Sequence, residues 1–292
     1  MIYHEMFGQH LRLGNFLFKY AWSIMQDRKY GRMTCYPDNY YLWKYLQHPP
    51  KQSNSTEYWK DEMLRPRCWE WSLEEENYVN NFLNQHPNVD VALNFFFQSE
   101  QWFRDYKDEV RKALRFTDKA ESDVIYKYGY LFNRKGYSPS IGIGVRLGDF
   151  VNHGDFYQIP IQWYLDALEN NFPYWGERPV VIFSDDIILA RKLFEEKGYS
   201  NFYYAEPNGT QTHADNFKHY HGDASEHLIL GSLMDDFIIG NSTFSWWQAW
   251  LATYNKPGSR VIHSGKVFSE TGNMKHVDTS LYYPKNWIKY EN

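Results

Sequence analysis

Short apolar runs rich in β-formers, each followed by a stretch of helical character, recur along this chain and leave it few architectures. Val89-Asp90-Val91-Ala92-Leu93-Asn94-Phe95-Phe96-Phe97 reads as a buried strand, with a helix following from Gln98 through Val110, Leu114 and Phe116. Ile141-Gly142-Ile143-Gly144-Val145 is a second β-rich run. Val180-Val181-Ile182-Phe183 precedes a helix over Ile187 to Lys197, Phe237-Ile238-Ile239 precedes another starting near Ser242, and Val261-Ile262 is the last strand. Strands that are apolar on both faces belong in parallel sheets covered by helices. The alternation therefore predicts an α/β architecture. The first forty residues fit a strand, a turn opened by Gly8 and a helix in which Phe16, Tyr20 and Ile24 share a face. At roughly 150 residues per domain, 292 residues allow one large domain or two ordinary ones, and the break at Tyr137 to Ser140 divides the chain into 1–139 and 140–292.

Composition narrows the function classes. With 31 basic and 36 acidic side chains, the net charge of −5 argues against a protein held to nucleic acid by bulk charge. No apolar run approaches the ~20 residues of a membrane span, and Met1-Ile2-Tyr3-His4-Glu5 lacks the apolar centre of a signal peptide. Cys35 and Cys68 form neither a disulfide framework nor a zinc spacing, so a reducing, cytoplasmic setting is expected, where the sequons at Asn54, Asn208 and Asn241 carry no glycan. No P-loop, nucleophile elbow, HExxH or GxGxxG pattern occurs. Aromatic residues make up 20% of the chain. They fill cores, and they also form the flat amphipathic surfaces on which sugars and bases lie.

Three stretches put polar groups at the carboxyl end of a predicted strand, where open α/β sheets bind ligands. In Gly144-Val145-Arg146-Leu147-Gly148-Asp149, an arginine leaving a strand between glycines can present its fork to a phosphate; the alternative is a surface arginine paired with Asp149. In Phe183-Ser184-Asp185-Asp186, one residue is expected to cap the next helix, while Ser184 and Asp185 could grip ribose or sugar hydroxyls. An acidic pair can also hold a metal, but without a third ligand nearby it is a weak metal signal. In Asn241-Ser242-Thr243-Phe244-Ser245, hydroxyls and the N–H groups of a starting helix make a phosphate seat, while Trp246, Trp247 and Trp250 fit inward packing. Gly14 and Asn15 stand before the first helix, where asparagine is also an ordinary cap.

Taken in order, Arg12-Leu13-Gly14-Asn15…Phe18-Lys19-Tyr20-Ala21, Phe97-Gln98-Ser99-Glu100…Phe103, Val145-Arg146…Gly148-Asp149-Phe150-Val151, Phe183-Ser184-Asp185-Asp186 and Asn241-Ser242-Thr243-Phe244-Ser245-Trp246-Trp247…Ala249-Trp250-Leu251 resemble the α-1,2-fucosyltransferases, glycosyltransferase family 11. The family's pattern is GRLGNQxFQYA, GYFQSExYF, HVRRGDYV, FSDD and NSSFSWWGAWL. The resemblance implies a GT-B-like fold, two Rossmann-like domains with a cleft between them: an acceptor-side domain (1–139) and a nucleotide-sugar-binding domain (140–292). It also implies inverting transfer of fucose from GDP-fucose to a glycan hydroxyl, with no metal or other cofactor. By position, Arg146 is the donor-phosphate arginine; Ser242, Thr243 and Ser245 hold the diphosphate; Gly14 and Asn15 serve the donor sugar.

The chain also departs from that pattern. Gly144 and Leu147 replace the family's His and second Arg, and His227, fifteen positions before Ser242, replaces an acid that helps read guanine. Either the adjacent Glu226 takes over or the donor's base differs, because a histidine cannot accept from N1–H and N2–H₂ together. An inverting transfer also needs a base for the acceptor hydroxyl; His153 and Asp155 are the nearest candidates and His10 a weaker one. The alternatives are a different nucleotide-sugar donor on the same fold, or a carbohydrate-binding relative without catalysis.

Overall fold

The computed structural model describes residues 2–4, 12–36, 40–51, 62–64, 70–132, 139–148, 150–151, 153–206 and 224–291. His10, Asp149, Cys68 and most of the polar loop after Lys51 lie outside them. The chain forms two compact units, Met1–Thr117 with Ser280–Pro284, and Asp118–Thr279 with Lys285–Asn292.

In the first unit, β1 (Ile2–His4), β2 (Glu62–Leu64) and β3 (Val91–Leu93) form a parallel sheet of order β1-β3-β2. Helix α1 (Leu13–Tyr30) is buried nearly all round over its first four turns, which is why its apolar residues show no narrow stripe. Its N-cap is Arg12, and the Phe16 amide donates to the Arg12 carbonyl at 3.0 Å. Gly14 and Asn15 thus lie inside the first turn, and Asn15 does not cap the helix. α2 (Leu73–Gln85) starts on Ser72, which accepts from the Glu75 amide at 3.0 Å. The strand expected over Val89 to Phe97 is confined to Val91–Leu93, where it pairs with β1 and β2, and the run beyond it turns at Phe97, which takes φ 54°. The helix expected from Gln98 is a 3₁₀ segment (Glu100–Tyr106), kinked at Phe103, that leads into α3 (Lys107–Ala113).

The second unit carries α4 (Asp118–Lys127) and α5 (Gly129–Phe132), then β4 (Ile141–Val145), α6 (Ile161–Asn171), β5 (Val180–Ser184), α7 (Ile187–Glu196), β6 (Tyr203–Tyr204), α8 (Ser225–Ser232), β7 (Asp236–Ile239), α9 (Thr243–Asn255), β8 (Val261–His263) and β9 (Ile288–Lys289). Its six strands are all parallel, in the order β6-β5-β4-β7-β8-β9. Ile143, Ile182, Ile238 and Ile262 lie in the core against Leu165, Leu168 and Phe172 of the α6 region and Phe194 of α7. The division by compactness falls at 117/118, not at the loop before Ile141. α4 packs on α8, and Ala120, Val124, Tyr128 and Leu131 are buried. A run of Ser and Pro marks a loop, not the edge of a core. Among the described residues no helix is long and apolar enough to cross a membrane.

Candidate functional site

The strand order locates the site before any side chain is considered. From β4 the chain winds outward through β5 to β6, and from β7 it winds the other way through β8 to β9. β4 and β7 are neighbours in register, Gly144 opposite Ile239, and the Gly240 amide donates to the Gly144 carbonyl at 3.3 Å. Connections leave in opposite directions between these two strands, and such a switch point opens a crevice at their carboxyl ends. Arg146 leaves β4 there and Asn241-Ser242-Thr243 leaves β7, on strands about 4.8 Å apart.

Arg146 is held rather than loose. Its Nη1 lies 3.1 Å from Asp185 Oδ2, and its guanidinium stands over the Phe150 ring at 5.1 Å. Asp185 Oδ1 accepts from the Leu147 amide at 2.9 Å. One carboxylate therefore fixes both the arginine and the backbone that bears it, from the carboxyl end of the neighbouring strand β5. The rest of this stretch folds on itself: Ser184 Oγ accepts from the Asp186 amide at 3.1 Å, and Asp186 caps α7 by accepting from Leu189 at 3.0 Å. Among the described residues Arg146 thus pairs with Asp185; Asp149, the partner the sequence offered, lies outside them.

The start of α9 completes the arrangement. Ser242 is the N-cap, extended at φ −81°, and its side chain makes no capping bond. The helical ladder opens with Trp246 N–H donating to the Ser242 carbonyl at 3.0 Å, which leaves the amides of Thr243, Phe244 and Ser245 outside it. Such amides, with the positive end of the helix dipole, favour an anion. Asn241 acts differently from its neighbours: its Nδ2 donates to the carbonyls of Tyr157 and Val267, both at 2.9 Å, fastening two loops beneath the helix start. Ser245 is buried against β4, and a Cβ built on Gly144 would collide with its Oγ. Gly144 is therefore a packing requirement. Trp246, Trp247 and Trp250 are buried and hold the helix by ring contacts, including Trp246 with Trp287 at 5.5 Å.

The remaining candidates fall elsewhere. Glu226 Oε1 accepts from Tyr128 Oη at 2.9 Å and pairs with Lys127. The His227 ring meets the Glu206 carbonyl at 3.1 Å through Nε2, and burial holds its imidazole below the ordinary histidine range. A neutral imidazole facing a carbonyl must carry its proton on Nε2, which leaves only Nδ1 as an acceptor. Asp155 Oδ1 accepts from the Asn273 amide at 2.6 Å, and its carbonyl accepts from Ser269 at 2.8 Å, so this carboxylate staples a loop. His153 is exposed, its Nδ1 accepting from the Asp155 amide at 3.4 Å. In the first unit, Asn15 Oδ1 accepts from Gln98 Nε2 at 2.9 Å.

Sequence reasoning missed a cavity of about 520 Å³ at the end of β6, lined by Lys127, Tyr128, Tyr130, Arg191, Tyr203 and Glu206 among others. The Tyr203-Tyr204 pair ahead of Glu206 was its only trace in the sequence. Sequence reasoning also missed His263, buried at the end of β8 with Nδ1 accepting from the Gly265 amide at 3.1 Å. Burial, with the Lys289 ammonium adding to it, holds this imidazole down to about 4. The unfolded chain takes up that proton near 6.5, so stability from His263 is complete above about pH 6.5 and is lost towards pH 4, by up to ~3 kcal/mol. Urea melts of wild type and His263→Asn at pH 7 and 4.5 check this. The wild-type advantage should shrink in acid, and a gap of constant size would rule out a buried neutral imidazole.

The sequence model of glycosyl transferase family 11 matches residues 9–290. An α-1,2-colitosyltransferase of Escherichia coli is 26% identical over 193 residues, 63% of this chain and 58% of that protein. The O-antigen biosynthesis glycosyltransferase WbnK of Escherichia coli is 28% identical over 114 residues, 38% of this chain and 33% of that protein. The chain thus matches just over half the length of the first of these relatives and a third of the second. Among solved structures, POFUT1 in complex with GDP matches with TM-score 0.52 at 10% identity, covering 89% of this chain and 96% of that one. A variant of Arabidopsis thaliana FUT1 in complex with GDP matches with TM-score 0.52 at 12% identity, covering 90% and 70%. At these identities the structures show the fold, which is GT-B-like.

Proposed function

The chain belongs to glycosyl transferase family 11, and from that premise we propose that it transfers fucose from GDP-fucose to a glycan hydroxyl, with inversion and without a metal ion. The observation that carries the proposal is the pairing, at one switch point, of a positioned guanidinium with an uncapped helix start. Glycosyl transfer builds negative charge on the departing diphosphate. Arg146 and the first amides of α9 would stabilise that charge while already in place, so the reaction pays no reorganisation cost. The second unit is in this reading the donor side and the first unit the acceptor side, with Asn15 serving the sugar that is transferred.

The departures at Gly144 and His227 favour a second reading, in which the donor's base or sugar differs. His227 offers a single acceptor, so guanine recognition would pass to Glu226 and to the tyrosine-lined cavity beside it. The similarity to a colitosyltransferase keeps a sugar other than fucose in play. Of the candidate bases, Asp155 has its carboxylate on the Asn273 amide and His10 lies outside the described residues, so this reading gives the acceptor proton to His153.

Calorimetric titration with GDP, UDP, dTDP and CMP, followed by turnover of GDP-fucose in EDTA, tests the proposal. GDP should bind at least tenfold tighter than the others, and turnover should survive the chelator. Preference for another nucleotide replaces the donor, and tight GDP binding with no turnover of GDP-fucose on any glycan supports the non-catalytic relative.

A further inference from the structure

We infer that Gln98 is a positioning residue for this reaction, turning the Asn15 amide so that Nδ2 is the atom offered to the substrate. The inference rests on the reading above, in which Asn15 serves the donor sugar. It starts from a backbone outlier. Phe97 is one of two non-glycine residues at positive φ among those described, at 54°, a conformation unfavourable for a bulky side chain. Such a residue persists only where its surroundings over-determine it, and such residues gather at functional places.

The surroundings here are aromatic. The Phe97 ring is buried, stacked on Trp22 at 4.3 Å and 11°, with Phe95 and Trp102 edge-on at 4.6 and 5.1 Å. Directly beyond, the Ser99 amide donates to the Phe97 carbonyl at 2.7 Å, and Ser99 Oγ donates to the Leu281 carbonyl at 2.5 Å. Gln98 is thus clamped between two fixed neighbours. Trp22 and Asn15 stand seven residues apart on α1, two turns along one face. The strained turn that docks Phe97 on Trp22 brings Gln98 onto Asn15, 83 residues away in sequence.

The polarity of that contact matters. Gln98 Nε2 can only donate, so it engages Asn15 Oδ1 and orients the amide. The two hydrogens on Asn15 Nδ2, for which no partner occurs among the described residues, are then presented outward for a sugar hydroxyl or ring oxygen. A glutamine serving only to tie this loop to α1 would work equally well with the contact reversed.

Affinities for GDP and GDP-fucose, measured by calorimetry on wild type, Asn15→Ala, Gln98→Glu, Gln98→Ala and the double alanine variant, decide between the two. Gln98→Glu keeps the shape but can only accept, so Asn15 must turn Nδ2 inward. Gln98→Glu and Gln98→Ala should each weaken GDP-fucose by roughly five- to tenfold, as Asn15→Ala does, while leaving GDP affinity unchanged. The double variant should be no worse than Asn15→Ala alone. If Asn15→Ala loses GDP-fucose and Gln98→Glu does not, the positioning role is overturned while the reading of Asn15 stands. If Asn15→Ala binds GDP-fucose like wild type, both fall. If wild type prefers another nucleoside diphosphate, the same comparison runs on that nucleotide and its sugar conjugate. A loss of GDP affinity in the Gln98 variants, or a lowered melting temperature that accounts for the loss, identifies a structural tie and overturns the proposal.

Discussion

Arg146→Ala should lower kcat/KM by about 30-fold to several thousand-fold, the ~2–5 kcal/mol that follows when one side of a desolvated charge pair is removed. Two effects add. In the proposed site the diphosphate would lose its guanidinium, and Asp185, which lies 3.1 Å from Arg146 in the wild type, would face an anion without that cation. The second effect is separable: adding Asp185→Asn to Arg146→Ala should recover part of the loss, whereas Asp185→Asn alone should impair the enzyme by releasing the arginine, its remaining oxygen still accepting from the Leu147 amide. Arg146→Lys should remain well below wild type, because one ammonium cannot replace a fork that meets a carboxylate and a phosphate at once. Steady-state kinetics with GDP-fucose and calorimetry with GDP give both quantities. Activity within threefold of wild type in Arg146→Ala would remove this residue from the mechanism.

Asp236→Ala should cost the protein ~3–5 kcal/mol, a large part of the stability of any domain. Asp236 begins β7 at the end of the sheet opposite the site. Its Oδ2 lies 2.6 Å from Arg178 Nη2, with the two side chains 12% and 10% exposed, and its Oδ1 accepts from the Arg260 amide at 2.7 Å. Arg178 also donates to the carbonyls of Pro139, at 2.6 Å, and Ser140, at 3.3 Å. Asp235 next to it accepts from the Ser140 amide and hydroxyl and pairs with Lys256 at 2.8 Å. Truncating Asp236 leaves a guanidinium enclosed without its counter-charge and a backbone N–H without an acceptor. Asp236→Asn keeps an oxygen for Arg260 and should lose less. Denaturant melts measure both, and an alanine variant within 1 kcal/mol of wild type would show the pair to be solvated in solution.

How far the sequence disclosed this structure depended on burial and on range. β4, β5 and β7 were legible because central parallel strands are apolar on both faces. β6 and β9, two residues each at the sheet edges, carry no period to detect. β3 is shorter than its apolar run, whose far end, Phe97, turns to positive φ within an aromatic cluster, a tertiary contact that no local pattern announces. At the site, Arg146 and the Ser242 to Ser245 turn stood out because glycines and hydroxyls at strand ends are local signals. The ties of Asp185 to Arg146, Gln98 to Asn15 and Lys127 to Glu226 join residues 39, 83 and 99 positions apart, and only the fold brings them together. The same holds for α4, whose place on α8 moved the division between the units.

The close seating of Ser245 on Gly144 has a consequence for redesign. The family's pattern carries a histidine at this position, yet here the atom-free side of Gly144 is already filled by the first turn of α9. Grafting an imidazole back would lever that helix away from the sheet, and the amides at its tip would retreat from the guanidinium across the crevice. In the proposed site, the stand-off between helix and strand would set the depth at which a diphosphate could lodge. On that reading, a change of nucleotide preference begins with a redesign of that spacing.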